Sequence, residues 1–505
     1  MSLSSSAEAP NDQSPNNQAG EHNDQERQFF GHPWGLANLF GVEMWERFSF
    51  YGLQGLLLYY LYYQTTEGGL GMDKPLASAI VGAYGGTVYL SAIVGGWVAD
   101  RILGAEKTLF YSGILIMFGH AALAVVPGYT GMIAGLIAIA LGAGCLKTTA
   151  GTVLGNLYSK EDPRRDSGFS IFYMGINIGG LIGPLVTGAL WKFGNFHLGF
   201  GAAAVGMALG LIQYMIGRKH TITPETHAPT NPLPKKYYLP ILAGVAAVIA
   251  VVWLLFQRQI LVPKNLSDYI AIIATCAAII LFTEMMRSPL TEPHEKRRLI
   301  GFIPMFLGSV TFFTIFKQQF TVLAVYTDQR LNRFVGGFEI TPTWIQSINP
   351  VFIIVFAGVF ATLWSKMGSK QPSSPMKYAL GTLIIGVAPL LFLPFAGGAD
   401  NSTPFWVIVL VLFVFTMAEL HISPVGLSMA TKVAPDSFKA RAMSLHLLSL
   451  SIGTALSGTF AGFYDPTSAT AERTYFIALG GSALIIGVIL LLLVKPVLKA
   501  FGGVR

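Results

Sequence analysis

Glu43-Met44-Trp45-Glu46-Arg47-Phe48 lies in the middle of an otherwise apolar and aromatic run, Trp34 to Tyr63. The run is long enough to span a bilayer, for which about 20 apolar residues suffice. An ionisable group at that depth costs about 2.5–3.5 kcal/mol even on a lenient insertion scale, so all three should face a bundle interior or a wet cavity. Spacings of three and four put Glu43, Glu46 and Arg47 on one helical stripe, continued by Phe50, Tyr51 and Gln54. Charge kept on such a stripe marks a substrate or proton path, which points to a transporter or channel.

Apolar segments recur along the whole chain. Its 505 residues are 52% hydrophobic and 12% charged, with a mean hydropathy of +0.55; a soluble domain carries about 25% charged residues. About fourteen segments are expected to cross the membrane. They begin near Trp34, Leu76, Thr108, Gly131, Asp166, Asn195, Tyr237, Asp268, Leu299, Thr341, Met376, Thr403, Phe438 and Thr474. The net charge of +7 does not point to nucleic acid, because the cations sit in short, alternate connections. These hold Arg101 and Lys107; Lys160, Arg164 and Arg165; Arg218, Lys219, Lys235 and Lys236; Arg287 and Lys296 to Arg298; Lys366, Lys370 and Lys377; Lys432, Lys439 and Arg441. The other connections are sparse in positive charge, apart from Arg258/Lys264 and Arg330/Arg333. With an even number of spans, this bias places both termini in the cytoplasm. Cys145 and Cys276 both lie in apolar runs and imply no disulfide framework.

The expected class is an all-α integral membrane protein. Residues 1–30 are rich in Ser, Asn, Gln and Glu without a signal-peptide core, and read as a disordered cytoplasmic tail. Residues 31–218 form a first six-helix bundle. A Pro/Thr/His/Lys-rich linker and two plain helices occupy 219–295, and residues 296–500 form a second bundle. Transporters built from two such repeats bind substrate near the midplane between them.

Gly95-Gly96-Trp97-Val98-Ala99-Asp100-Arg101-Ile102-Leu103-Gly104 closes the second span, where the glycines permit close packing and Asp100 and Arg101 can fasten a cytoplasmic loop. It resembles the loop motif of the major facilitator superfamily, in the variant of the proton-dependent oligopeptide transporter family. Phe169-Ser170-Ile171-Phe172-Tyr173-Met174-Gly175-Ile176-Asn177-Ile178-Gly179-Gly180-Leu181 is similar to that family's second signature. Glu43-xx-Glu46-Arg47 matches its ExxER hallmark. Gln346-Ser347-Ile348-Asn349-Pro350 and Glu419-Leu420-His421-Ile422-Ser423-Pro424-Val425-Gly426-Leu427 match further segments. The resemblance covers roughly residues 34 to 499. It implies the major facilitator fold of bacterial members, with fourteen transmembrane helices: two six-helix bundles and two extra helices between them.

The resemblance also implies roles. Arg47 and Lys147 match the cations that receive a peptide's carboxylate, and Glu419 the acid facing its amino group. Tyr51, Tyr89, Asn177 and Asn349 match substrate-contacting polar groups. Glu43 and Glu46, beside Arg47 and Lys147, match the proton-coupling acids. Plainer readings stand beside these. Lys147 as a lone lysine would snorkel to the interface; Glu419 would pair with a cation of another span. Asn177 would glue helices together, and Tyr51 and Tyr89 would only pack. Tyr59-Tyr60 and Tyr62-Tyr63 read as an interfacial belt.

Four positions depart from the family pattern. Phe50 replaces a second tyrosine, and His446 a tryptophan that lines the pocket. His446 is either a proton sensor and reader of acidic side chains or a polar filler. Lys317 stands where a glutamate is usual, and Gln54 where an arginine that pairs with it is common. The two changes read as one replaced gate: an arginine would repel Lys317 in a poorly screened site, and Gln54 removes that clash. Lys317 would then seek Glu43, Glu419 or a substrate carboxylate, unless the register on this span slips by a turn.

The expected function is proton-driven import of di- and tripeptides across a bacterial inner membrane. It would use no cofactor and no metal, with the monomer as the functional unit. The alternative keeps the fold and moves a non-peptide solute, nitrate or another small metabolite. A receptor would need a large soluble output domain, which the sequence does not show. An enzyme is disfavoured: His294-Glu295 is followed by Lys296-Arg297-Arg298, so HExxH spacing fails, and no Gly-x-Ser-x-Gly elbow or P-loop is found.

Overall fold

The computed structural model describes residues 28–159 and 162–502. Residues 28–30 of the expected tail belong to this part, where β1 (Gln28–Phe29) pairs antiparallel with β2 (His32–Pro33). Residues 1–27 and Lys160 lie outside the described residues.

Among the described residues, fourteen long helices follow. The first half contains α1 (Trp34–Tyr62), α2 (Lys74–Val98), α3 (Ala105–Val125), α4 (Gly128–Gly155), α5 (Arg165–Phe193) and α6 (Phe196–Gly217). Then come α7 (Tyr238–Gln257) and α8 (Leu266–Arg287). The second half contains α9 (Pro293–Phe316), α10 (Ile348–Met367), α11 (Ser374–Leu390), α12 (Phe405–Lys432), α13 (Lys439–Ala461) and α14 (Ala469–Phe501). Among the described residues, twelve helical segments are long and apolar enough to cross a membrane by composition; α1 and α13 fall short. Those two are inner helices. α1 packs on α5 and α6, and α13 on α2, α8 and α9, so their polar residues face protein rather than lipid.

Small residues set the spacing where the halves meet. Gly82 of α2 lies so close to α13 that an added Cβ would stand 2.6 Å from Gly458 Cα. α8 packs against both α2 and α13 along this seam, whereas no residue of α7 is buried.

The ninth span is broken. α9 stops at Phe316, Lys317–Phe320 forms a 3₁₀ turn, and a short helix resumes over Val322–Gln329. The polar groups of the break find partners: Gln346 Nε2 donates to Gln319 O at 2.7 Å, and Gln318 Nε2 to Ser457 O at 3.2 Å. Beyond it, β3 (Phe334–Val335) and β4 (Phe338–Glu339) form a hairpin whose turn uses Gly336 and Gly337 at φ +58° and +83°.

The halves are sealed at the end carrying the α1–α2 connection. Tyr62 and Tyr63 donate to the two carboxylate oxygens of Asp328 at 2.5 and 2.9 Å, and Tyr59 Oη to Ala324 O at 3.2 Å. Trp344 Nε1 donates to Leu185 O at 3.0 Å, and Ser347 Oγ to Leu181 O at 2.7 Å. Lys192 Nζ reaches Glu339 O at 2.8 Å. This corrects the interfacial-belt expectation: Tyr59 and Tyr60 are fully buried, and Tyr62 and Tyr63 bond across the halves. Belt and seal share one composition, so only the distant partner distinguishes them.

Asp328→Ala removes the acceptor of two hydrogen bonds to a carboxylate, of a kind worth about 1.5–3 kcal/mol each. The population separated at this end is expected to rise about tenfold or more. Pulsed electron paramagnetic resonance distances between the α1–α2 turn and the β3–β4 hairpin, in a background free of native cysteines, check this.

Candidate functional site

The polar stripe of α1 turns into the protein. Glu43, Glu46 and Arg47 are 2%, 0% and 3% exposed. Arg47 Nε donates to Glu43 Oε1 at 2.8 Å and lies 3.1 Å from Glu46 Oε2. Glu43 Oε2 and both oxygens of Glu46 have no hydrogen-bond donor among the described residues. Buried acceptors are nearly always satisfied, so a triad short of donors is a functional candidate.

The α5 signature explains how α1 is held. An added Cβ at Gly179 would stand 2.8 Å from Arg47 Cβ, and one at Gly180 would stand 3.2 Å from the Tyr51 ring. The glycines therefore bring the α5 backbone against the charged face of α1. Asn177, on the same helix, donates its amide to Tyr173 O at 2.9 Å, one turn back. Tyr173 is 46% exposed, and Tyr51 and Glu419 are among the ionisable groups facing it. It was quoted within the signature but not singled out from the sequence; its position one turn before Asn177 was the available signal.

Lys147 sits in the interior of α4 and is only partly exposed, with Nζ 5.0 Å from the centre of the Tyr89 ring. It does not snorkel. Lys317, 6% exposed, approaches the same ring at 5.8 Å and those of Phe316 and Phe320 at 5.6 and 5.5 Å. Lys317 also caps the carbonyl end of α9, where the helix dipole favours a cation. Among the described residues neither lysine makes an ion pair or side-chain hydrogen bond, so Lys317 does not pair with Glu43 or Glu419 as anticipated.

Glu419 enters from α12 and Asn349 from α10. Asn349 Nδ2 lies 3.3 Å from Glu419 Oε2 and 2.9 Å from Thr416 Oγ1. The amide thus orients the carboxylate, which faces Lys317.

Gln54 is 3% exposed with Oε1 unpartnered, and its amide lies near Gly85 and Thr454. Among the described residues no hydrogen bond joins it to Lys317. His446 is buried beside Gly426 and the Tyr378 hydroxyl, filling a notch that the missing Cβ of Gly426 leaves open. Asp100 and Arg101 lie in a π-helical turn, Ala99–Leu103. Among the described residues their side chains form no ion pair. Their backbone carbonyls instead hold the linker, accepting from Asn231 N at 2.9 Å and Leu233 N at 2.8 Å. Among the described residues no group of three or more His, Cys, Asp or Glu is placed to hold a metal.

The site therefore joins cations and carboxylates from both halves: Arg47, Lys147, Glu43 and Glu46 from the first, Lys317 and Glu419, with the amide of Asn349, from the second. A model of the POT family matches residues 106–477. An uncharacterized transporter, YclF, of Bacillus subtilis (strain 168) is 44% identical over 478 residues, covering 94% of this chain and 96% of the relative. A di-/tripeptide transporter of Lactococcus lactis subsp. cremoris is 40% identical over 501 residues, covering 96% and 99%. Among solved structures, peptide transporter POT in complex with sulfate superposes with a TM-score of 0.89 at 42% identity, covering 94% of this chain and 97% of that one. A POT family transporter in complex with 5-aminolevulinic acid gives 0.88 at 36% identity, covering 94% and 98%. The match extends through both halves and the two helices between them, and the chain belongs to the POT family of membrane transporters.

Proposed function

We propose that the chain is a proton-coupled symporter that imports di- and tripeptides by alternating access of its two halves. The observation that carries this reading is the division of charge: Arg47 and Lys147 stand on the first half, Glu419 on the second. A peptide zwitterion offers its carboxylate to the cations and its ammonium to the acid, so binding it draws the halves together. Tyr51, Tyr89, Tyr173, Asn177 and Asn349 supply the surrounding polar contacts, and His446 helps to shape the wall. The names of the Lactococcus lactis relative and of the solved peptide transporter support the substrate class.

Coupling follows from competition for Arg47. A substrate carboxylate that takes this guanidinium leaves Glu43 or Glu46 without its counter-ion, and a buried unpaired carboxylate is costly enough to be protonated instead. The proton gradient is then the driving force, with no cofactor. In this reading the protein lies in a bacterial inner membrane with both termini and the basic loops in the cytoplasm. The sealed end then faces outward, and the monomer is the working unit.

In liposomes carrying the purified protein, an inward proton gradient is expected to drive dialanine accumulation that an uncoupler abolishes. Exchange without accumulation would defeat the coupling. No peptide movement at all, by folded protein, would favour transport of a non-peptide solute such as nitrate or another small metabolite. The second reading has one observation in its favour: a relative was solved with 5-aminolevulinic acid, which is not a peptide.

A further inference from the structure

Unpartnered polar atoms gather on the seam between α1 and α2. Glu46, Phe50 and Gln54 follow one another at spacings of four along one face of α1. Tyr84 of α2 lies across from them. Its ring stacks on Phe50, with centroids 6.4 Å apart at 30°. An added Cβ at the next residue, Gly85, would stand 3.8 Å from Gln54 Nε2. Tyr84 is 5% exposed, and its hydroxyl has no hydrogen-bond partner among the described residues. The same holds for both oxygens of Glu46 and for Gln54 Oε1. The ionisable groups facing Tyr84 are Glu46, Arg47 and Tyr89, and those facing Glu46 include Arg47, Glu43 and Lys147. Thr454 of α13, also beside Gly85, already donates its hydroxyl to Leu450 O at 2.7 Å. Leaving a buried hydroxyl unbonded costs about 1–3 kcal/mol, so an idle one at this depth needs a reason.

The reason lies in what a proton-carrying acid needs. The guanidinium of Arg47 and the ammonium of Lys147 can only donate, and serve the carboxylate form of Glu46 alone. Ionised Glu43 can only accept, and serves the acid form alone. A phenolic hydroxyl does either by rotating about its C–O bond. We infer that Tyr84 is a positioning residue for the proton on Glu46, donating to the carboxylate and accepting from the carboxylic acid as the halves rock. This rests on the proton-coupled reading above and adds a residue to that coupling. The bond to the carboxylate is charge-assisted and the stronger of the two, so the hydroxyl favours release of the proton.

Tyr84→Phe removes the hydroxyl and keeps the ring that stacks on Phe50. In liposomes carrying the full-length protein, the external pH of half-maximal dialanine uptake should rise by about one unit, because the acid form of Glu46 gains on the carboxylate. Proton-driven accumulation of radiolabelled dialanine should fall about tenfold, because the proton leaves less readily. Exchange of dialanine at equal pH on both sides needs no proton release and should change far less. In a Glu46→Gln background, adding Tyr84→Phe should cause no further loss, since the two residues act as one unit. Thermal melting of Tyr84→Phe should match the wild type. An unshifted pH profile, a further loss in the Glu46→Gln background, or a fall in accumulation and exchange alike with a lowered melting temperature would overturn the inference, while wild-type accumulation leaves symport standing. Absence of proton-driven accumulation in the wild type would overturn both.

Discussion

Arg47→Ala is expected to destabilise the protein by about 3–5 kcal/mol and to abolish peptide uptake. Among the described residues, the guanidinium is the single cation within ion-pair distance of two buried carboxylates, Glu43 at 2.8 Å and Glu46 at 3.1 Å. Both acids are almost fully enclosed, and three of their four oxygens already lack a hydrogen-bond donor among the described residues. Removing Arg47 leaves no compensating charge nearby except Lys147, which stands on another helix. The loss is therefore one of folding as well as of binding. Adding Glu43→Gln and Glu46→Gln to Arg47→Ala should recover much of the stability, because no buried charge then remains unpaired, yet should recover no transport. Thermal unfolding in detergent reads the first effect and uptake the second. An Arg47→Ala protein that melts with the wild type would show the triad to be solvated and structurally idle.

Glu472→Ala should be as damaging, by about 3–5 kcal/mol, for reasons unrelated to substrate. Its carboxylate, 0% exposed, accepts from Gly397 N at 2.7 Å and Tyr464 Oη at 2.8 Å, and lies 3.4 Å from Arg330 Nη2. Arg330 in turn donates to Pro466 O at 2.6 Å. One side chain thus fastens α14 to three loops at the sealed end of the second half. Alanine strands an arginine, a phenol and a backbone amide at once. Glutamine keeps an acceptor and a similar shape, so Glu472→Gln should lose less than half as much. If both variants unfold at the wild-type temperature, the network is not structural. If both lose uptake without losing stability, this corner takes part in opening the seal.

The two sites show what a sequence can and cannot reveal. Glu43, Glu46 and Arg47 were legible because their oddity is local: three charges at helical spacing inside an apolar run need no partner to be noticed. The span pattern was legible for the same reason, whereas the packing of the glycine-rich α5 signature against α1 came only with the structure. Glu472 went unremarked and Arg330 was noted only as a loop charge, because their meaning arises from a meeting of residues 142 apart in the chain. The tyrosines at the end of α1 were misread for a similar reason, since Asp328 lies 265 and 266 residues away. Gln54 and Lys317 make the subtler case. A neutral glutamine beside a lysine reads as one replaced gate, and among the described residues no hydrogen bond joins the two, leaving Lys317 to share an aromatic ring with Lys147.

α7 contributes no buried residue. Its side chains are answerable to lipid, which rewards apolarity and length and is indifferent to shape. Valine, leucine, isoleucine and phenylalanine should exchange there almost without penalty, so this helix should drift faster among descendants than any other span. Comparing lineages, α7 would serve as a neutral clock against which the slow change of α1, α5 and α12 could be timed.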